Sequence, residues 1–101
     1  MPKKKEKTNM KYELKKNALI NGEEVKEIEY DFDSLKGDSA QLAIRELQKR
    51  GIVVQIVETD PNYHAMLFAL AAGLSFEDIS ALSLKDYNAI VGLTRDFFLE
   101  D

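Results

Sequence analysis

The dipeptide Asn21-Gly22 lies between two stretches of alternating hydrophobicity and constrains the fold more than any other feature. Asn and Gly both tolerate positive φ, so this dipeptide favours the tight turn of a β-hairpin. Large apolar residues alternate with polar ones on both sides of it, at Tyr12, Leu14, Ile28, Tyr30 and Phe32. The sequence therefore predicts an N-terminal antiparallel hairpin.

The parity of these apolar residues predicts the length of the hairpin loop. A two-residue loop would place even-numbered residues of one strand on the same face as odd-numbered residues of the other. The large apolar residues are even-numbered on both strands. A three-residue loop over 20–22, built from a type I turn and a G1 bulge at Gly22, restores the agreement. It predicts the pairs Leu14–Ile28, Tyr12–Tyr30 and Met10–Phe32, with this even-numbered face packed on the rest of the domain.

Length and composition indicate one soluble domain. The chain has 101 residues, of which 45% are hydrophobic and 32% are charged. No apolar run approaches the ~20 residues that a membrane-spanning helix needs. The chain has no cysteine, which excludes disulfides and thiolate metal sites and fits a reducing cytosol.

Charge is unevenly distributed along the chain. The net charge is −4, but residues 1–16 carry +5 and residues 17–101 carry −9. We interpret residues 1–9 as a disordered basic leader and residues 10–101 as a single domain. Nucleic-acid binding by the leader is disfavoured, because it has no aromatic residue for base stacking and the acidic body repels phosphate.

The first helix is expected over 39–50, with Asp38 as its N-cap and Gly51 directly after its end. The following stretch, 52–57, is uncharged, almost entirely β-branched and free of proline. Such a stretch is prone to aggregate when exposed. A short strand and an extended buried segment are both compatible with this pattern, and we favour the strand; in either form we expect the stretch to be buried within the domain or between copies of it.

Three further helices are predicted in the second half of the chain. Thr59 or Asp60 caps the first of them, with Pro61 at its first position. Two serine-led capping boxes open the other two, Ser75 with Asp78 and Ser83 with Asp86. The last helix, over about 84–99, carries a wider apolar set than the ~100° stripe of a surface helix.

Signatures of enzymes are missing from the sequence. It contains no phosphate-binding loop and no G-x-G-x-x-G motif. We interpret the single histidine, His64, as a packing residue of its helix and not as a catalytic base. Acidic residues alternate along one face of the second strand, at Glu27, Glu29, Asp31 and Asp33; a solvated face balanced by Lys11 and Lys15 explains them. We therefore expect no catalytic residue, no cofactor and no metal ion.

Several short stretches resemble a known family. The first half contributes Lys11-Tyr12-Glu13-Leu14, Ile20-Asn21-Gly22-Glu23-Glu24-Val25 and the stretch Tyr30 to Gly37. The second half contributes Ala71-Ala72-Gly73, Phe76-Glu77-Asp78-Ile79, Leu82, Asp86-Tyr87 and Phe97-Phe98-Leu99. Together they resemble, over about residues 11–100, the tail assembly chaperones of long-tailed bacteriophages, the group similar to that of phage Mu.

The resemblance implies a small non-enzymatic protein in the cytoplasm of an infected or lysogenic bacterium. Proteins of this family bind the tape measure protein and keep it soluble before the tail tube polymerises around it. They are absent from the finished virion. A longer product of ribosomal frameshifting is common in the family. The alternatives are a minor structural component of the tail and a small acidic regulatory protein.

The expected fold is α+β, with the hairpin packed on about four helices. The surplus of apolar residues on the last helix predicts a partner-binding surface, because helical partners dock through a few aromatic and aliphatic anchors. The candidate residues are Phe68, Leu93, Phe97, Phe98 and Leu99. The sequence leaves open whether the protein is a monomer or a homo-oligomer.

Overall fold

The computed structural model describes residues 10–99, which form an α+β fold. An antiparallel hairpin, β1 (Met10–Ile20) and β2 (Glu23–Tyr30), leads through a short 3₁₀ turn into the helices. The helices are α1 (Gly37–Lys49), α2 (Pro61–Ala72), α3 (Phe76–Ser80) and α4 (Leu84–Leu99). The predicted fold class is confirmed. The predicted leader, residues 1–9, lies outside the described residues.

The hairpin turn lies at the predicted dipeptide but contains two residues. Asn21 and Gly22 have φ of 55° and 81°, and Ile20 pairs with Glu23. Two consecutive positive φ angles are the signature of a type I′ turn. The predicted three-residue loop is therefore wrong, although Gly22 does adopt the left-handed conformation.

The two-residue turn alone would place the even-numbered apolar residues of the two strands on opposite faces. A bulge inside β1 brings them onto the same face. Ala18 pairs with Val25 and Glu13 pairs with Glu27, so the four residues 14–17 of β1 face the single Lys26. Beyond the bulge, Tyr12 lies opposite Ile28 and Met10 lies opposite Tyr30; these pairs replace the predicted ones.

The predicted even-numbered face of the hairpin nevertheless lies on the helices. Ile28 and Tyr30 are buried, whereas Glu27 and Glu29 are exposed. Lys11 forms an ion pair with Glu27 at 3.5 Å across the hairpin. The orientation of the hairpin is thus confirmed, while its register is corrected.

Helix α2 forms the centre of the core. It contacts α1, α3, α4 and β2. Its residues 64–69 are all buried, as expected for a helix that is apolar around its whole circumference. Phe68 is fully buried, with ring centroids 4.8 Å from Tyr30 and 6.2 Å from Phe32.

The helix boundaries follow capping chemistry that is mostly local. The Asp60 side chain accepts a 2.8 Å bond from the Asn62 N–H, and Pro61 occupies the first turn of α2. Ser75 and Asp78 form the predicted reciprocal capping box of α3. The predicted N-cap Asp38 of α1 is wrong: the helix starts at Gly37 with Lys36 as its N-cap residue, and Asp38 lies in the first turn, where its negative charge suits the helix dipole.

The segment 52–57 forms no strand within the part of the chain that the structure describes. Ile52 and Val54 pack against the core, but Val53 and Ile56 are 71% and 61% exposed. The predicted strand is therefore wrong, and so is burial of the whole segment inside one copy of the domain. Gln55 lies at a bend, and a turn follows in which Thr59 and Asp60 donate their N–H groups to the Ile56 carbonyl at 3.2 Å and 3.0 Å.

Candidate partner-binding surface

The last turns of α4 present aromatic side chains to solvent. Phe97 and Phe98 are 45% and 40% exposed, and Leu99 is 53% exposed. Both phenylalanine rings lie against the buried Phe32, with centroids 4.8 Å and 5.3 Å from it. Their own centroids are 4.9 Å apart with nearly perpendicular planes. We call Phe97, Phe98 and Leu99 the aromatic end.

Two grooves border the aromatic end, and each phenylalanine lines one of them. Phe98 lines a groove of about 310 Å³, together with Leu35, Lys36, Gly37, Ala40, Tyr63 and Leu67. Phe97 lines a smaller groove of about 140 Å³, together with Met10, Tyr30, Asp31, Phe32, Asp33 and Leu93. Each ring of the aromatic end thus forms part of the wall of a separate groove that is lined largely by apolar residues.

Charged residues border these apolar surfaces. Lys36 contributes to the larger groove, and Asp31 and Asp33 contribute to the smaller one. The Asp31 carboxylate accepts a bond from the Asp33 N–H at 3.1 Å, and the Asp31 N–H donates to the Ala71 carbonyl at 3.0 Å. An apolar centre with a charged border is the usual composition of a surface that binds another protein.

The structure brings together four of the five candidate binding residues. Phe97, Phe98 and Leu99 are exposed, and the half-buried Leu93 lies in the smaller groove. Phe68 is fully buried behind Tyr30, so it supports the surface from inside and cannot act as an anchor for a partner. The sequence did not reveal this difference, because α2 is apolar on every face.

His64 is a buried packing residue. It is 2% exposed, and its Nδ1 lies 3.0 Å from the Asp60 carbonyl oxygen one turn earlier. Burial lowers the pKa of its imidazole below the ordinary value, which favours the neutral ring. Its ring lies edge-on to Tyr63 at 5.4 Å.

Asp86 is the principal polar residue whose role the sequence did not reveal. Its carboxylate is fully buried and accepts hydrogen bonds from the Tyr12 hydroxyl, the Lys15 and Lys16 N–H groups and the Ser83 hydroxyl, at 2.7–3.2 Å. Two of these donors belong to the bulge of β1.

The hydrogen bonds of Asp86 also set its charge. Burial alone would raise the pKa of this carboxyl, but the donors of Lys15, Tyr12, Ser83 and Lys16 outweigh burial and hold it below its usual value. The Ser83-x-x-Asp86 motif identified a helix start. It gave no sign that this carboxylate also holds a strand 70 residues away in the chain.

The described residues were also compared with the requirements of a metal site and a membrane-spanning helix, and the chain with known proteins. Among residues 10–99, no three His, Asp or Glu side chains are grouped so that they could hold a metal ion. None of the helices in that range is both long and apolar enough to cross a bilayer. No family model, curated protein or solved structure matches the chain.

Proposed function

We propose that this protein is a tail assembly chaperone of a long-tailed bacteriophage, which binds a helical segment of the tape measure protein in the host cytoplasm and keeps it soluble. The single observation that carries the proposal is the aromatic end. Three adjacent apolar side chains at the end of one helix are exposed beside two grooves, and the rings of two of them pack against the buried Phe32. The motif resemblance between residues 11 and 100 supplies the class of partner.

The physical requirements of such a chaperone match this surface. A tape measure protein is long and helical, and its apolar stripe must be covered until the tail tube forms. Helix-in-groove binding takes most of its energy from a few aromatic and aliphatic anchors at the centre of the interface. Phe97 and Phe98 would enter the partner's apolar stripe, while the grooves would receive side chains of the partner. The two half-exposed rings are already held by Phe32, which limits the entropy lost on binding.

Co-expression with a tape measure protein encoded in the same genome tests the proposal. The expected result is that the chain co-purifies with the tape measure protein and raises its soluble fraction. The variant Phe97→Ser with Phe98→Ser should lose the complex while keeping its helical circular dichroism. Leu84→Ser is the matched control, because Leu84 is 72% exposed at the other end of the same helix. It should bind like the unmodified chain.

A second variant guards against unfolding of the double substitution. Leu99→Ser removes an exposed anchor and no ring contact with Phe32, so it should weaken the complex by ~1–3 kcal/mol without unfolding the domain. Unchanged binding by both folded variants would place the interface elsewhere. A chain that neither binds nor solubilises the tape measure protein would refute the chaperone function itself.

A further inference from the structure

The two grooves beside the aromatic end differ in the sign of their charge. Among residues 10–99, the smaller groove is lined by Asp31 and Asp33 and by no basic residue. Within the same range, the larger groove is lined by Lys36 and by no acidic residue. We call Asp31 and Asp33 the acidic border. A partner that covers Phe97 would therefore bring part of its own surface beside two carboxylates.

The acidic border is held in a fixed position relative to the aromatic end. Asp31 and Asp33 flank Phe32 in the chain, and the Phe32 ring contacts Phe97 and Phe98 at 4.8 Å and 5.3 Å between centroids. The Asp33 N–H donates to the Asp31 carboxylate at 3.1 Å, which holds the short turn between them. Asp33 itself is exposed, so its carboxylate can meet a partner without any rearrangement of the domain.

The wider distribution of charge has the same sign as the acidic border. Residues 17–101 carry −9, and Glu100 and Asp101 follow Leu99 directly in the sequence. The nearest charged residues before the aromatic end on α4 are Arg95 and Asp96, which pair with each other at 3.8 Å. Charges at the border of an interface steer the approach of a partner and exclude partners of the wrong sign. The surface around the smaller groove therefore favours a basic partner.

We infer that the aromatic end selects an amphipathic helix whose apolar stripe is bordered by lysine or arginine where it lies along the acidic border. The apolar anchors supply most of the affinity, and the acidic border supplies the selection, because a carboxylate at the same place on the partner would meet two like charges. The inference rests on the proposed function and deepens it, since it states which kind of tape measure segment is bound.

Two synthetic helical peptides test the inference separately from the tape measure protein. Both carry the same stripe of leucines, bordered by lysines in one peptide and by glutamates in the other. In fluorescence anisotropy at low salt, the full chain should bind the lysine peptide about fivefold more tightly. The preference should shrink as salt is added. Equal affinities, or no binding of either peptide, would overturn the inference even if co-expression confirmed the chaperone.

A charge reversal tests whether the acidic border makes the selection. Asp33→Lys should abolish the preference for the lysine peptide and keep the helical circular dichroism, because Asp33 is exposed. Glu23→Lys is the matched control: it makes the same change of charge at an exposed residue beside the hairpin turn, at the opposite end of the strands from Met10. It should retain the preference. Equal loss in both variants would show that net charge makes the selection, and would overturn the inference.

The basic leader is the rival occupant of the acidic border. Lys3, Lys4, Lys5 and Lys7 precede Met10 in the chain, and Met10 lines the smaller groove. A full-length variant with these four lysines changed to serine separates the two occupants. If the border serves a partner, the unmodified chain and this variant should both prefer the lysine peptide. A preference that appears only in the variant would mean that the chain's own leader occupies the border, and would overturn the inference.

Discussion

The hydroxyl of Tyr12 donates a 2.7 Å hydrogen bond to the carboxylate of Asp86, 74 residues further along the chain. The same carboxylate accepts the N–H groups of Lys15 and Lys16 within the bulge of β1. The start of α4 therefore fixes the irregular part of the hairpin, and the polar groups that the bulge removes from the strand ladder are paired again.

Asp86→Asn should destabilise the domain by roughly 2–3 kcal/mol, because the amide loses the charge and directs N–H donors towards other donors. Urea unfolding followed by circular dichroism at neutral pH measures this loss. Asp96→Asn is the control, since its side chain is 70% exposed and the change should stay within about 0.5 kcal/mol. Equal losses for the two variants would show that the buried carboxylate contributes nothing specific.

The stabilisation by Asp86 should also depend on pH. Its pKa lies below the usual value in the folded state, so the contribution is present above the pKa of the unfolded chain and is lost as pH falls through the folded value. The difference in unfolding free energy between the unmodified chain and Asp86→Asn should therefore shrink in acid. A difference that stays constant with pH would mean that the carboxylate is not charged in the folded protein.

Tyr12 should give the opposite dependence at alkaline pH. Burial, the hydrogen bond to Asp86 and the negative charge of Asp86 together raise the pKa of its hydroxyl from 10.0 to about 12. Its contribution is complete below about pH 10 and is lost as the pH rises towards 12. Other tyrosines titrate in the same range, so the measurement is the difference between the unmodified chain and Tyr12→Phe. That difference should narrow over this interval, and a flat difference would contradict the raised pKa.

Gly22→Ala should cost ~1–2 kcal/mol, because Gly22 has φ of 81° and an L-residue is disfavoured there. A Cβ at this position would meet no heavy atom within 4 Å, so the cost is that of the backbone alone. Gly37→Ala provides the comparison: it has equal space and no positive φ, so its change should be neutral or slightly stabilising. Thermal unfolding of both variants decides, and a neutral Gly22→Ala would argue against the type I′ turn.

The sequence predicted those parts of the fold that depend on neighbouring residues. The turn at Asn21-Gly22, the Ser75–Asp78 capping box and the buried face of β2 follow from local φ preference, local hydrogen bonding and alternation. The length of the hairpin loop could not be predicted from the even numbering of the apolar residues, because the bulge within β1, and not the loop, brings these residues onto one face.

The bulge that makes this correction depends on donors and an acceptor that are far apart in the chain. Segment 52–57 was mispredicted for a related reason: β-branched residues favour an extended backbone, but a strand also needs a partner. Among the candidate binding residues, Phe68 and Phe98 look alike in sequence, and burial separates them only after α2 has packed at the centre.

Phe68→Ala and Phe98→Ala should therefore behave differently. Phe68 is fully buried between elements of the core, so its truncation should cost about 3–5 kcal/mol. Phe98 is 40% exposed and loses mainly its contact with Phe32, so its truncation should cost roughly 1–2 kcal/mol. Urea denaturation of the two variants measures both values. Phe68→Leu serves as the control, because it keeps most of the buried apolar volume and should lose less than Phe68→Ala. If Phe98→Ala proves as costly as Phe68→Ala, then Phe98 is a core residue and the aromatic end cannot offer it to a partner.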